Sequence, residues 1–268
     1  MTKIALTIAG VDPSGGAGII ADVKTFAAFG IFPTAAIASI TFQNTQGVFG
    51  AEHQSAESVR QQVIPILDDY EVSAVKTGML PTREVIEEVA AIIAKRHLRN
   101  IVVDPVVRST SGFDLIDDAA LRSLIEKLFP LADLITPNIP ETERISGVAV
   151  QRESDIHDAA SVMRDLGAKN VLIKGGHLVN AESSDTEKRR AKDYLFIGDV
   201  LTVFQGDYWE TTATHGTGCT LSSAIAANLA WGNDLITSVE IAKRFVNEAI
   251  RTAPMIGRGH SPINIKPI

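Results

Sequence analysis

The stretch KIALTIAGVDPSGGAGIIADVKTFAAFG (Lys3–Gly30) decides the fold. An apolar run, Lys3–Ala9, enters a glycine-rich loop, Gly10–Gly18, and continues into residues of helical period, Ala17–Phe29, that stop at Gly30. A buried strand, a tight loop and a helix closed by glycine form the opening half of a βαβ unit. The alternation recurs as Val72–Thr77 before Arg83–His97 and Ile101–Val107 before Asp117–Phe129. It continues with Leu134–Thr136, a helix near Ser154–Leu166 and the run Val171–Lys174. Thr82 is placed to cap the Arg83–His97 helix, and Gly167 to close another. The pattern predicts a single α/β domain over residues 1–268, built around a mainly parallel sheet. Two stretches depart from it. Glu182–Lys192 (ESSDTEKRRAK) is charged without apolar period and is expected to be a solvated loop. Tyr194–Trp209, with YLFI and LTVF flanking Gly198-Asp199, is expected to form a hairpin or a short antiparallel edge.

Composition narrows the partners. The chain has 268 residues, 45% hydrophobic and 21% charged, enough for one large core. Its 25 basic and 32 acidic residues give a formal charge of −7, which lacks the basic footprint of a nucleic-acid binder. The start, MTKIALTIAG, is too short and wrongly flanked for a signal peptide or a membrane span, so no membrane partner is expected. Cys219 is the only cysteine, so neither an intrachain disulfide nor a cysteine-cluster zinc site can form, and a reducing cytoplasm is the expected location.

Within the first loop, Gly16-x-Gly18-x-x-Ala21 formally matches a dinucleotide-binding fingerprint. The acid that would hold the ribose is missing, because no Asp or Glu lies between Asp22 and Glu52. Neither glycine-rich loop continues into Gly-Lys-Ser/Thr, so a Walker A loop is absent as well. The second loop, ATHGTGCTLSSAIAANLA (Ala213–Ala230), puts Gly216-Thr217-Gly218 directly before an Ala-rich helix. Free backbone N–H groups and the helix dipole make that terminus an anion site. Cys219 stands in the first turn, where the same field is expected to lower its thiol pKa. A small buried packing residue is the competing reading of Cys219. A cysteine hydrolase with His215 as base is a third, though it lacks an identifiable orienting group.

Two further groups fall at predicted strand ends, where an open α/β sheet presents its ligand crevice. In VVDPVV, Asp104 ends a fully apolar strand, and LITPNIPE sets Asn138 and Glu141 one helical turn apart. Hard oxygen ligands of this kind suit Mg²⁺, which usually keeps several waters and meets substrate phosphates. A turn residue before Pro105 and a first-turn helix acid are the alternative readings of Asp104 and Glu141.

Taken together, AGVDPSGGAGIIADVKTF, TFQNTQGV, KTGML, VVDPVV, ITPNIPE, VLIKGGH, THGTGCTLSSAIAANLA and GRGHSPINI resemble the hydroxymethylpyrimidine/phosphomethylpyrimidine kinases of thiamine synthesis, in order along essentially the whole chain. The resemblance implies a ribokinase-like three-layer α/β/α sandwich, with ATP as co-substrate, Mg²⁺ and commonly a homodimer. It implies two successive phosphorylations of the pyrimidine, first of the alcohol and then of its monophosphate.

Carried over residue by residue, Cys219 takes the position of the base, and Gly216, Thr217 and Gly218 that of the anion hole. Asn138 and Glu141 match a metal-organising N-x-x-E, Asp104 matches a second acid near the metal, and Lys174 falls near the nucleotide phosphates. Gln43 matches the side chain that pairs with the pyrimidine, and Gly10, Ala17, Met79 and Val106 match the pocket around the ring. The chain departs from the family at RSTSG, where Thr110 replaces a lysine of A-K-S-G, and Arg108 is the cation expected to compensate near the nucleotide. A pyridoxal or pyridoxine kinase on the same fold and a non-catalytic pyrimidine-binding relative are the alternative functions.

Overall fold

The computed structural model describes residues 2–107, 115–176 and 190–266, so Arg108 and Thr110 lie outside the described residues. The first half runs β1 (Ile4–Val11), α1 (Gly18–Ala28), β2 (Phe32–Asn44), β3 (Gly47–His53), α2 (Ala56–Asp69), β4 (Ala74–Thr77), α3 (Arg83–Lys95), β5 (Ile101–Val103) and α4 (Asp118–Ser123). The second half runs β6 (Leu134–Ile135), α5 (Ile139–Ser146), α6 (Glu153–Asp165), β7 (Asn170–Lys174), β8 (Arg190–Ile197), β9 (Val200–Asp207), α7 (Thr217–Ala230) and α8 (Leu235–Arg251). Among the described residues the strands form one nine-stranded sheet, in the order β3-β2-β1-β4-β5-β6-β7-β8-β9.

The run from β2 to β7 is parallel. Both edges are antiparallel, β3 against β2 on one side and the β7–β8–β9 meander on the other. The hairpin around Gly198-Asp199 is thus where it was expected, but a second antiparallel edge, with the helix α2, was not anticipated. The hairpin also reaches back to Arg190, so Arg190–Lys192 belong to a strand rather than to a solvated loop. Arg190 pairs with Asp207 across the hairpin and Lys192 pairs with Glu153, which is why charged residues are at home in this edge. Residues 182–189 of that loop lie outside the described residues.

The core divides by strand periodicity. Side chains alternate across a sheet. Leu6, Ile8, Val75, Ile101, Val103, Ile135, Val171 and Ile173 face α2 through α6. Ala5, Ala74, Val102, Leu134 and Leu172 face α1, α7 and α8. Three layers result, which is the expected sandwich. Two elements are shorter than their patterns suggested. β5 stops at Val103 because the chain turns out of the sheet at Asp104-Pro105, and Pro105 has no N–H to give a ladder. The helix expected over Asp117–Phe129 is α-helical only to Ser123, then widens into a π-turn over Leu124–Leu128 and tightens to a 3₁₀ turn over Phe129–Leu131, with Pro130 ending it.

Beneath the carboxyl ends of the central strands, one buried polar knot ties the layers. Asp22 of α1 accepts from Lys76 Nζ of β4 with both oxygens at 2.9 Å, from Thr7 Oγ1 of β1 at 2.6 Å and from Ser223 Oγ of α7 at 2.7 Å. Lys76 is 0% exposed. Burial alone would push its ammonium down, but the charges of Asp22, Cys219 and Asp104 outweigh this and hold it above its ordinary value. Removing one partner of such a pair strands the other in a dry interior. Asp22→Ala is therefore expected to cost about 3–5 kcal/mol of unfolding free energy. Asp22→Leu combined with Lys76→Met should recover much of that loss. Urea denaturation of the three proteins checks it, and an Asp22→Ala midpoint equal to wild type would show that the knot does not hold the layers.

Candidate active site

The crevice at the carboxyl ends of the parallel strands is a cavity of about 720 Å³. It contains every described residue singled out from the sequence: Gly10, Ala17, Gln43, Met79 and Val106 on one side, and Asp104, Asn138, Glu141, Lys174 and Gly216–Cys219 on the other.

The two glycine loops meet backbone to backbone. Gly216, the N-cap of α7, has φ +85°, and a Cβ there would stand 1.8 Å from Gly16 O. A Cβ on Gly16 would in turn meet His215 Cδ2 at 2.4 Å. Of the glycines that imitate a dinucleotide fingerprint, Gly16 thus makes room for the second loop, whereas Gly18, at φ +57°, lies against Gly10 O of its own loop. The contact of Gly16 with Gly216 is what brings the N-terminus of α7, an anion-attracting group of free N–H donors, into the crevice opened by the first loop.

Opposite this terminus lies a charged cluster. Lys174 Nζ donates to Asp104 Oδ1 at 2.7 Å and lies 4.0 Å from Glu141 Oε2. It also reaches the helix terminus, where a Cβ on Gly218 would be 3.0 Å away. Thr136 Oγ1 donates to the same Asp104 oxygen at 3.0 Å. Asn138 and Glu141 form a reciprocal capping box. Asn138 Oδ1 accepts from Glu141 N at 2.9 Å, and Glu141 Oε2 accepts from Asn138 N at 2.8 Å. The N-x-x-E spacing therefore has a structural task, which is to fix the Glu141 carboxyl at the cavity wall. The alternative reading of Glu141 as a first-turn helix acid is also met.

The electrostatics separate the two acids. Burial would raise Asp104, but Lys174 and Lys76 outweigh it and hold the carboxyl below its ordinary range. Glu141 is pushed up to about 7 by burial, opposed by Lys174, with the Asp104 charge adding to the rise. Cys219 departs from expectation. Burial pushes its thiol up to about 11, with Asp22 and Asp104 adding to the rise, while Lys76 and the Gly18 N–H pull the other way. A helix terminus favours the thiolate, but the protein packed around the partly exposed Cys219 outweighs it.

His215 is not the partner of Cys219. Its Nε2 lies 2.6 Å from Asp12 Oδ2 and 3.4 Å from the amide of Gln43, which leaves the hydrolase reading without its base. Asp12, His215, Thr41 and Lys76 line the cavity and were missed as site residues. Asp12 and Lys76 stood inside quoted segments, GVDPS and KTGML, where an acid before proline and a lysine closing an apolar strand were the available signals. A further buried pair at the cavity wall, Lys243 Nζ to Asp193 Oδ2 at 2.6 Å, joins α8 to β8 and has no local signature at all.

An anion-binding helix terminus facing a lysine-bridged acid pair, at the carboxyl edge of this sheet, defines a ribokinase-like phosphotransferase. The chain belongs to the phosphomethylpyrimidine kinase family, whose model matches residues 12–264. It is 41% identical over 263 residues to the hydroxymethylpyrimidine/phosphomethylpyrimidine kinase of Haemophilus influenzae, covering 98% of this chain and 96% of that one. The crystal structure of phosphomethylpyrimidine kinase from Clostridium difficile 630 superposes with a TM-score of 0.80 at 39% identity, over 93% of this chain and 100% of that one. An ADP complex of Bacillus subtilis pyridoxal kinase superposes with a TM-score of 0.88 at 34% identity, over 98% and 97%.

Two outcomes follow from the charges. Because the Cys219 thiol is raised, alkylation by iodoacetamide should be slow at neutral pH and accelerate steadily as pH rises toward the thiol's value of about 11; a rate already at its plateau by pH 8 would mean a lowered thiol after all. For Glu141, an acid raised from 4.5 to about 7 on folding, the native state binds the extra proton between those values, so its contribution to stability falls as pH rises through that window. Glu141→Gln keeps the acceptor of the capping box and should flatten this part of the Tm–pH curve, raising Tm at pH 7.5. An unchanged curve would show that Glu141 is not held in its neutral form.

Proposed function

We propose that the protein phosphorylates 4-amino-5-hydroxymethyl-2-methylpyrimidine and then its monophosphate, with ATP as donor, on the route to thiamine. The observation that carries this reading is the meeting of Gln43 and the Gly216–Cys219 loop in one cavity. Gly10, Ala17, Met79 and Val106 offer small and apolar walls to a flat ring, and the Gln43 amide offers a donor and an acceptor to an aminopyrimidine edge. Phosphoryl transfer asks mainly for alignment and charge neutralisation. The N–H groups of Gly216, Thr217 and Gly218 receive the transferring phosphoryl, and Lys174 stands between it and the acids. Cys219 takes the proton of the attacking hydroxyl. Being a thiol at rest, it makes turnover rise with pH across the neutral range.

The acid pair suits a hard dication. Glu141, raised to about 7 chiefly by burial and further by the neighbouring Asp104 charge, is a carboxyl whose ionised form a bound cation would stabilise. Glu141 and Asp104 would hold Mg²⁺ together with phosphate oxygens and water, and the ion would supply charge neutralisation at the phosphates. Asn138 serves this site by orienting Glu141.

A cytoplasmic homodimer completes the proposal. Its support is the resemblance and the apolar β2–β3 edge, where Phe42 and Phe49 are 53% and 70% exposed. Among the described residues no helix is long and apolar enough to cross a membrane.

A second reading, a pyridoxal kinase, is favoured by the superposition on the B. subtilis enzyme. Coupled ADP release with hydroxymethylpyrimidine, its phosphate and pyridoxal separates the two. The pyrimidines should give the higher kcat/KM, and equal or better use of pyridoxal would replace the first reading with the second. In the same assay Cys219→Ser should lower kcat by about 10²–10⁴, the range of a lost general base. Cys219→Asp should retain more activity than Cys219→Ala, and near-normal kcat in Cys219→Ala would remove the base.

A further inference from the structure

Gln43 sits between two groups whose hydrogen-bonding roles are already decided. On one side, Thr41 Oγ1 lies 2.9 Å from Val11 O and 3.1 Å from Gln43 Oε1. A hydroxyl has a single hydrogen and a carbonyl oxygen only accepts, so that hydrogen goes to Val11. The contact with Gln43 then sets lone pair against lone pair. On the other side, His215 Nε2 lies 2.6 Å from Asp12 Oδ2 and 3.4 Å from Gln43 Nε2. Asp12 is held ionised: burial would raise it, but its bonds to His215 and Ser14 outweigh this, and Ala17 N also donates to it at 2.9 Å. A carboxylate only accepts, so His215 Nε2 carries a hydrogen, and its contact with the Gln43 NH₂ sets donor against donor. Turning the amide by 180° exchanges two atoms of nearly equal size: its NH₂ then donates to Thr41 Oγ1, and its carbonyl replaces a second donor beside the His215 N–H, whose hydrogen stays on Asp12 and meets the carbonyl only as a longer, shared contact.

We propose that Asp12 and His215 are positioning residues that hold the Gln43 amide in this turned orientation, carbonyl toward His215 and NH₂ toward Thr41, before any substrate binds. The consequence for specificity rests on the pyrimidine-kinase reading. Each end of the amide keeps one free valence for a ligand, an acceptor on the side of His215 and a donor on the side of Thr41. His215 is the residue before Gly216, so the acceptor lies toward the anion loop. In the proposed substrate the amino group and the hydroxymethyl group stand on adjacent ring carbons. An amino hydrogen donated to Gln43 Oε1 therefore leaves the hydroxymethyl beside the loop, with the ring nitrogen receiving the Nε2 hydrogen. Pyridoxal carries an aldehyde oxygen next to its hydroxymethyl, and that oxygen would face Oε1 lone pair to lone pair. The preset amide thus selects a donor at that ring position.

The test has a ligand-free arm and a binding arm. A neutron structure of the ligand-free protein should show deuterons on His215 Nε2 and on the Gln43 terminus nearest Thr41; deuterons on the terminus nearest His215 would overturn the proposal. In calorimetric titrations, His215→Phe keeps a ring against Gly16 but loses the N–H. It should weaken hydroxymethylpyrimidine binding about fivefold to tenfold and shrink the preference over pyridoxal by a similar factor, while ATP binding moves less than about twofold. Adding His215→Phe to Gln43→Met should cost nothing further, because both act through one amide. Multiplying losses, or an unchanged preference for the pyrimidine in His215→Phe, would overturn it. Should the wild-type protein fail to bind the pyrimidine, the substrate reading alone would fall, and the deuteron positions would still decide the orientation of Gln43.

Discussion

Lys76 reaches no water, yet it carries a charge, and its place explains much of the architecture. The ammonium is tolerated only because Asp22 lies against it with two oxygens and because Thr7 and Ser223 fill the remaining valences of that carboxylate. These four residues come from β1, α1, β4 and α7, so the knot is satisfied only when the first strand, its helix, the neighbouring strand and the Ala-rich helix are all in register. A pair of this kind is weak evidence for net stability, since apolar residues of similar volume often do as well. Its contribution here is positional: it lies under the cavity floor and holds the start of α7 over the sheet. Its charge also reaches beyond the pair, because the fields of Lys76 and Asp22 act on Cys219 with opposite signs.

How the site closes follows from the same register. With α7 fixed, Gly216 stands against the backbone of Gly16, and only glycine at both positions allows the approach. The two loops are therefore one structure, and both line the same cavity. Lys174 joins this pair to the acids at the ends of β5 and β6. Its bond to Asp104 and its nearness to Glu141 and Gly218 leave one cation balancing two carboxylates at the mouth of a helix. Glu141 is raised chiefly by its burial against the capping box, and Lys174, which bonds Asp104 directly but stands 4.0 Å from Glu141, offsets this only in part.

What was legible in the amino-acid sequence is what repeats or punctuates. The βαβ alternation, the cap at Thr82, the hairpin at Gly198-Asp199 and the glycines before α7 all act within a few residues of themselves, and each was found where it was expected, whereas the capping role of Asn138 emerged only in the structure. β2, β3 and α2 were missed because the buried positions of β2 are the small or polar Thr34, Ala36, Ala38, Ser39 and Thr41 and because a helix with Pro65 inside it reads poorly as a helix. Roles that depend on a distant partner were invisible or misjudged. His215 looked like a base for the cysteine four residues away, but it is turned to Asp12, 203 residues earlier in the chain. Lys243 and Asp193, 50 residues apart, offered no pattern at all. Gly16 and Gly18 resembled a nucleotide loop because close backbone approach demands glycine whether the visitor is a phosphate, the second loop, as at Gly16, or the same loop folding back, as at Gly18.

Cys219 shows how such local rules are overruled. Its place in the first turn of α7 argues for a lowered thiol, and the Gly18 N–H and Lys76 act in that direction. Burial acts against it and is the larger effect, with Asp22 and Asp104 on the same side. The backbone field of a helix end is worth roughly 0.3–1 kcal/mol at an exposed surface, whereas taking an ionised group out of water costs several times that. The thiol therefore stays protonated at neutral pH. Its ionisation is tied to the charge around it: whatever neutralises Asp104 brings the thiolate within reach, and whatever adds negative charge beside Gly218 pushes it away. Lys174 touches Asp104 directly and faces the helix terminus, so it is the residue through which the state of the acid pair is felt at the sulfur.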